Sequence, residues 1–324
     1  MSDMWGCACY NLELDGRRTK ICSVPQRPSG LGFLPDGTLL VVSMVDRKLL
    51  RLVEGKLTDY ADLSGVATGD LNDLLIDGTG RAYVGNFGYD LFGGASAAPA
   101  NIAMVSPDRT IAVAADNLTF PNGMVTIDGG RTFVVAETFA NRLTAYDLDA
   151  KGRLANRRVY AELGDRTPDG LCVDREDGIW VSSFDTGEFI RIARDGAITD
   201  RVFCEGKRAV CCVLGGTDGR TLFCSTFAGQ LEDMPARKPL GAIEAVWAEG
   251  LEVPDDIALV CFDDIEYASR LYPFLTVMVQ PAETFGTLGT QLLLERIRGD
   301  GHRRSRRVVL PAEFIVRRSC GAGA

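Results

Sequence analysis

Two short phrases carry the side chains best suited to chemistry. Phe120-Pro121-Asn122-Gly123 reads as a turn entering the apolar run Met124-Val125-Thr126, and Pro168-Asp169-Gly170 enters Leu171-Cys172-Val173 in the same way. The amide oxygen of Asn122 and the carboxylate of Asp169 are both good donors to a hard cation. Each opens a strand in successive units of one repeat: strand, Asp128-Gly129 turn, strand, Asn141-Arg142 turn, strand, then an outer strand of mixed charge. If such units stand radially, both side chains point at one axis. Taken singly, an Asn or Asp before Gly equally suits a turn, where its side chain bonds to its own backbone.

The elements that must position these groups recur along the chain. Ser29-Gly30-Leu31-Gly32-Phe33 precedes Thr38 to Ser43, and Asn72-Asp73-Leu74-Leu75-Ile76 precedes Arg81 to Gly85. Asn122 is followed by Arg131 to Ala136, Asp169 by Gly178 to Ser182, and Cys212 to Gly216 by Arg220 to Cys224. The period is about 40 to 50 residues, that of four-stranded propeller blades. Ahead of these repeats, residues 6–27 read as two alternating strands around Asp15-Gly16. Almost nothing before residue 235 shows a helical apolar period. The longest interruption, Gly88 to Asn101, is rich in Gly and Ala and reads as an extended loop over one mouth. Asp36-Gly37, Asp128-Gly129 and Asp218-Gly219 read as hairpin turns without chemistry, and Glu137 reads as a solvated strand end.

Composition removes several classes of function. A chain of 324 residues with 46% hydrophobic and 24% charged residues is an ordinary globular one. No run of about 18 apolar residues suggests a membrane helix, and Met1-Ser2-Asp3-Met4-Trp5 does not begin a secretory signal. A net charge of −9 argues against nucleic acid and anionic membranes as partners. The ten cysteines show no C-x-x-C spacing and fall mostly in apolar strand patterns, so they read as free thiols in a reducing cytoplasm. A Cys/His zinc site or a Ser-His nucleophile finds no support, since the one histidine, His302, lies in a basic loop.

At this point the phrases Pro28 to Gly37, Leu71-Asn72-Asp73, Phe120 to Gly123 and Pro168 to Cys172 resemble the gluconolactonase/regucalcin family, also called senescence marker proteins. The resemblance covers about residues 1–247. It implies an all-β, six-bladed propeller with a divalent cation on the axis, whether Ca, Mg, Mn or Zn. By motif, the cation falls to Asn122 and Asp169, and Asn72 lies near metal and substrate. A cation so held can polarise a lactone carbonyl, and Asp169 is then the nearest candidate for the general base. The family's third ligand, a Glu in a Glu-Gly-Pro phrase of the first blade, has no counterpart here. Met1-Ser2-Asp3-Met4 already matches the segment downstream of it, so the first blade reads as incomplete. Glu13, the nearest carboxylate, sits in an alternating outer strand.

After about Trp247 the character changes. Gly250 to Asp264, Val279-Gln280-Pro281, Leu292 to Ile297 and Val316 to Gly321 resemble the end of the effector domain of lactose-repressor-type regulators. Residues 248–324 are expected to form an α/β fragment with strands at 257–262 and 275–279, a helix from about Ala282 to Arg298, and a strand pair near 307–318. That helix could join two copies of the chain. Asp263 matches a position near the sugar site of those regulators, in what would be half a cleft. The basic cluster Arg303 to Arg307 reads as a solvated loop. The chain is thus expected to be a fusion with three candidate functions. The first is a metal-dependent lactone hydrolase acting on a sugar lactone or similar ester. The second is an inactive relative or sugar-acid-binding protein, and the third, least supported, is a transcriptional regulator.

Overall fold

Alternation along each strand decides which neighbour a side chain meets. In Leu39–Ser43, Leu39 and Val41 face one adjoining sheet while Leu40 and Val42 face the other, and all four are buried. Thr132–Glu137 divides likewise, Phe133 and Val135 against Val134 and Ala136. A strand apolar on both faces must be covered on both, and sheets stacked around an axis provide that cover.

The computed structural model describes residues 1–13, 17–216, 219–236, 240–247, 260–262, 276–279, 281–298, 308, 310–311 and 313–316. It divides into two units, Met1–Val246 and Trp247–Ala324. The first unit is a six-bladed β-propeller built of six antiparallel sheets. Sheet 1 holds β1 (Ser2–Asp3), β2 (Ala8–Leu12) and β3 (Arg18–Ser23). Sheet 2 holds β4 (Pro28–Phe33), β5 (Leu39–Ser43), β6 (Lys48–Val53) and β7 (Lys56–Asp62). Sheet 3 holds β8 (Leu71–Ile76), β9 (Ala82–Asn86), β10 (Ala100–Val105) and β11 (Ile111–Leu118). Sheet 4 holds β12 (Pro121–Ile127), β13 (Thr132–Glu137), β14 (Arg142–Leu148) and β15 (Leu154–Glu162). Sheet 5 holds β16 (Pro168–Val173), β17 (Ile179–Ser183), β18 (Glu188–Ile192) and β19 (Ile198–Phe203). Sheet 6 holds β20 (Arg208–Gly215), β21 (Thr221–Phe227) and β22 (Gly241–Trp247).

Five apolar clusters join consecutive sheets, from 1–2 through 5–6. Between sheets 3 and 4, the rings of Tyr83 and Phe133 lie 5.1 Å apart and are fully buried. Each such side chain contributes roughly 2–3 kcal/mol on leaving water. Sheet 1 enters the ring at its second strand. β1 packs on β4 as β5 packs on β8 and β13 on β16, so no described strand fills the innermost place of that blade.

In the second unit, β23 (Val260–Phe262) runs parallel to β24 (Thr276–Val279), which pairs antiparallel with β25 (Glu313–Ile315). Helix α1 (Ala282–Arg298) begins with Glu283 and ends with Arg296 and Arg298, charges that complement its dipole. Asp218, Asp263, His302, the basic cluster at 303–307 and Cys320 lie outside the described residues. Among the described residues, no helix is long and apolar enough to cross a membrane.

Candidate functional site

Each innermost strand from β4 to β20 carries the same irregularity near its start. Against its partner the register slips between Pro28 and Leu31, Leu71 and Leu74, Pro121 and Met124, Pro168 and Leu171, and Ala209 and Cys211. These are β-bulges, in which one extra residue bends the strand and re-aims a side chain. The Pro-Asn-Gly and Pro-Asp-Gly phrases therefore lie inside β12 and β16, a correction to the reading of turns ahead of the strands. A turn and a bulge draw on the same Pro, Asn and Gly residues, which is why the phrase alone did not separate them.

The bulges gather Ser29, Asn72, Asp73, Asn122, Asp169 and Cys211 around the axis at the end where the innermost strands begin. Hydrogen bonds run from strand to strand there. The Ser29 hydroxyl donates to Asn72 Oδ1 (3.4 Å), and Asn72 Nδ2 to the Pro121 carbonyl (3.4 Å). Asn122 Nδ2 donates to Thr138 Oγ1 (3.2 Å), whose hydroxyl donates to the Pro168 carbonyl (2.8 Å). The approach is close because of glycine: a Cβ on Gly123 would lie 2.4 Å from the Leu171 nitrogen, and one on Gly170 2.7 Å from Cys211 Sγ. Asn72 and Asn122 are buried, Asp73 and Asp169 half-buried, and Cys211 open to solvent. Protein surrounds them while water reaches them, as in a shaft.

Burial raises the Asp169 carboxyl well above the usual carboxylate range; the neighbouring Asp73 charge adds to this, and a hydrogen bond from Asn122 opposes it. Burial pushes Asp73 up to about 6. The Cys211 thiol, reached by water yet ringed by protein, is also raised, first by the desolvation that ring imposes and then by the charges of Asp73 and Asp169, so it is no ready nucleophile. Among the described residues neither carboxylate faces a cation. Two carboxylates and an amide oxygen with unmet negative charge fit a hard divalent cation in charge and donor type. Asn122 and Asp169 could hold it, with the Asp73 charge beside them. Among the described residues no three His, Cys, Asp or Glu side chains are placed to hold one metal ion together, so water would complete such a shell.

Asp73 and Cys211 were missed from the sequence. Their signal was available, since both fall at bulge positions of the repeat. Glu137 corrects another expectation: it is wholly buried, not solvated. Arg142 and Arg157 each hold its carboxylate at 3.0 Å, and the Thr119 N–H donates to it at 2.8 Å. It braces sheet 4 and does not point at the axis charges. Glu13 is exposed, accepts a hydrogen bond from Asn11 (2.7 Å), and stays on the outer hairpin. Cys7, Cys9, Cys22, Cys172, Cys204, Cys211, Cys212 and Cys224 are free, five of them buried and Cys211 exposed.

Around the same mouth stand Trp5, Phe87, Tyr89, Phe92, Phe120 and Phe139, paired ring to ring. The loop between β9 and β10, the long interruption expected over one mouth, supplies much of this rim.

Comparison with known proteins gives a consistent result. A family model described as the SMP-30/Gluconolactonase/LRE-like region matches residues 1–228, and one described as a periplasmic binding protein-like domain matches residues 236–320. Regucalcin of Danio rerio is 28% identical over 223 residues, covering 67% of this chain and 72% of that protein. L-arabinolactonase of Azospirillum brasilense is 26% identical over 242 residues, covering 73% and 79%. A solved regucalcin from Agrobacterium tumefaciens, described as a calcium-binding protein, superposes with a TM-score of 0.64 at 24% identity, covering 75% of this chain and 83% of that one. The C-terminal part is similar to the probable transcriptional repressor ExuR of Bacillus subtilis, 36% identical over 98 residues but spanning just 26% of that protein.

Proposed function

The chain belongs to the SMP-30/gluconolactonase/LRE-like family, and on that footing we propose that its axial site hydrolyses a small lactone. The observation that carries the reading is the meeting of Asp169 with Asn122 and Asp73 in one protein-walled shaft, with no cation among the described residues to offset the two carboxylates. Similarity to the L-arabinolactonase of Azospirillum brasilense supports it.

Hydrolysis adds a water oxygen to the lactone carbonyl carbon, breaks the ring C–O bond and leaves a hydroxy acid. Asp169, in its carboxylate form, accepts the proton of the attacking water and returns it to the departing ring oxygen. Its raised proton affinity brings it nearer the neutral pH at which such a base works best. Asn72, whose amide is held by long 3.4 Å contacts, turns toward the substrate oxygens and orients the ring. Asn122 steadies Asp169 and is itself fixed through Thr138. A divalent cation held by Asn122 and Asp169 would supply a Lewis acid for the carbonyl and lower the pKa of a bound water. The aromatic rim limits water at the mouth.

Acid release from γ- and δ-lactones in the presence of divalent metal tests the reading. Asp169→Asn should lose at least about a hundredfold in kcat/KM while keeping its fold; equal rates in variant and wild type would sink it. A second reading, capture of a sugar acid without turnover, is favoured by one observation: no third acidic donor joins the axis among the described residues. A lactone bound but never opened would select it.

A further inference from the structure

Beside the axis lies a cleft of about 390 Å³ walled by Tyr89, Phe120, Phe139 and residues 97–99, with Thr119 at its edge. None of these side chains is charged. Phe120 packs 4.8 Å from Phe139 and 6.0 Å from Tyr89, and stacks at 4.6 Å on Phe87. Phe139 is nonetheless 45% exposed, an aromatic face open to the cleft. The opposite wall is fixed from beneath by Asn86, which is wholly buried. Asn86 Oδ1 accepts the N–H groups of Gly69 (3.1 Å) and Gly88 (2.9 Å), and its Nδ2 donates to the Asn101 carbonyl (2.9 Å). Both ends of the loop are thereby pinned.

The cleft and the axial site are joined through neighbouring residues of the chain. Phe120 stands two residues before Asn122 in β12. Phe139 follows Thr138, whose hydroxyl takes the Asn122 amide and donates to the Pro168 carbonyl. A ring opened at Asn122 and Asp169 has its substituent beside these aromatic groups.

Resting on the lactone-hydrolase reading, we propose that this cleft is the substituent pocket and that the substrate is a lactone bearing an apolar alkyl or aryl group, not a polyhydroxylated sugar lactone. Sugar hydroxyls would lose water there and meet little beyond the Thr119 and Tyr89 hydroxyls, and burying unpaired polar groups is unfavourable. An alkyl chain instead gains about fourfold in affinity for each methylene it buries.

The test measures binding by calorimetry and turnover by acid release for δ-valerolactone, δ-decalactone and D-glucono-δ-lactone. Wild type should bind and open δ-decalactone at least about tenfold better than δ-valerolactone. Phe139→Ser should bring that ratio below about threefold, and Ala98→Asp, on the other wall, should do the same should Phe139→Ser not fold. Equal handling of the two alkyl lactones, or a preference for glucono-δ-lactone, overturns the pocket while the hydrolase stands. Chain-length-dependent binding that Phe139→Ser removes, with no lactone opened, keeps the pocket and overturns the hydrolase.

Discussion

Replacing Asp73 by asparagine should stabilise the metal-free protein at neutral pH. The folded-state pKa of Asp73 is about 6 against an ordinary 3.8. Between those values the folded protein keeps a proton that the unfolded chain has released. The free energy of unfolding therefore falls as pH climbs from about 4 to about 6 and stays lower above that window. A rise of about 2 pKa units corresponds to about 3 kcal/mol. Asp73 is half-buried in a shaft that admits water, and screening reduces this to about 1–2 kcal/mol. Asparagine keeps the shape and removes the charge. Urea unfolding with a chelator present, followed by tryptophan fluorescence at pH 5 and pH 8, reads the effect. The wild type should lose stability between the two pH values more steeply than Asp73→Asn, and at pH 8 the variant should be more stable by about 1–2 kcal/mol. A variant less stable at pH 8, or two identical pH slopes, would refute the claim that unmet negative charge sits at the axis.

Other residues give independent checks. Glu137→Ala leaves Arg142 and Arg157 without their shared carboxylate and should cost about 3 kcal/mol in denaturant unfolding. Phe133→Ala opens a cavity beside Tyr83 and should cost about 3–5 kcal/mol by the same assay. Gly123→Ala drives a methyl to 2.4 Å from the Leu171 backbone; it should destabilise by about 1–3 kcal/mol and lower lactone turnover more than Phe133→Ala does, because β16 carries Asp169. Saturating calcium should raise the midpoint of wild-type unfolding but not that of Asp169→Asn, since an ion that binds the folded state alone stabilises it.

Much of the architecture was legible because the physics behind it is local. Leu39 to Ser43 and Thr132 to Ala136 advertise strands buried on both faces, and their recurrence with hairpin turns implies radial stacking. Asn122 and Asp169 were legible as a pair because they hold equivalent places in consecutive units. Asp73 was not, since it occupies a place where the other units carry Gly30, Gly123 and Gly170, and its burial depends on strands far away in sequence. Cys211 looked like one more apolar strand thiol; a bulge between Ala209 and Cys211 turns it to the shaft. Glu137 looked solvated because a charge at a strand end commonly is, and its partner Arg157 lies 20 residues on, in the outer strand β15. In the tail, helix α1 announced itself through its apolar and charged spacing, and strands β23 to β25 fall within segments expected to form strands.

Divalent metal binding by calorimetry, on the intact chain beside the Asn122→Ala/Asp169→Ala double variant, tests the axial site most directly because it needs no choice of substrate. The account predicts one saturable site per chain in the wild type and none in the double variant, with circular dichroism showing both proteins folded. No binding at millimolar metal by a folded wild type, or undiminished binding by the variant, would contradict it.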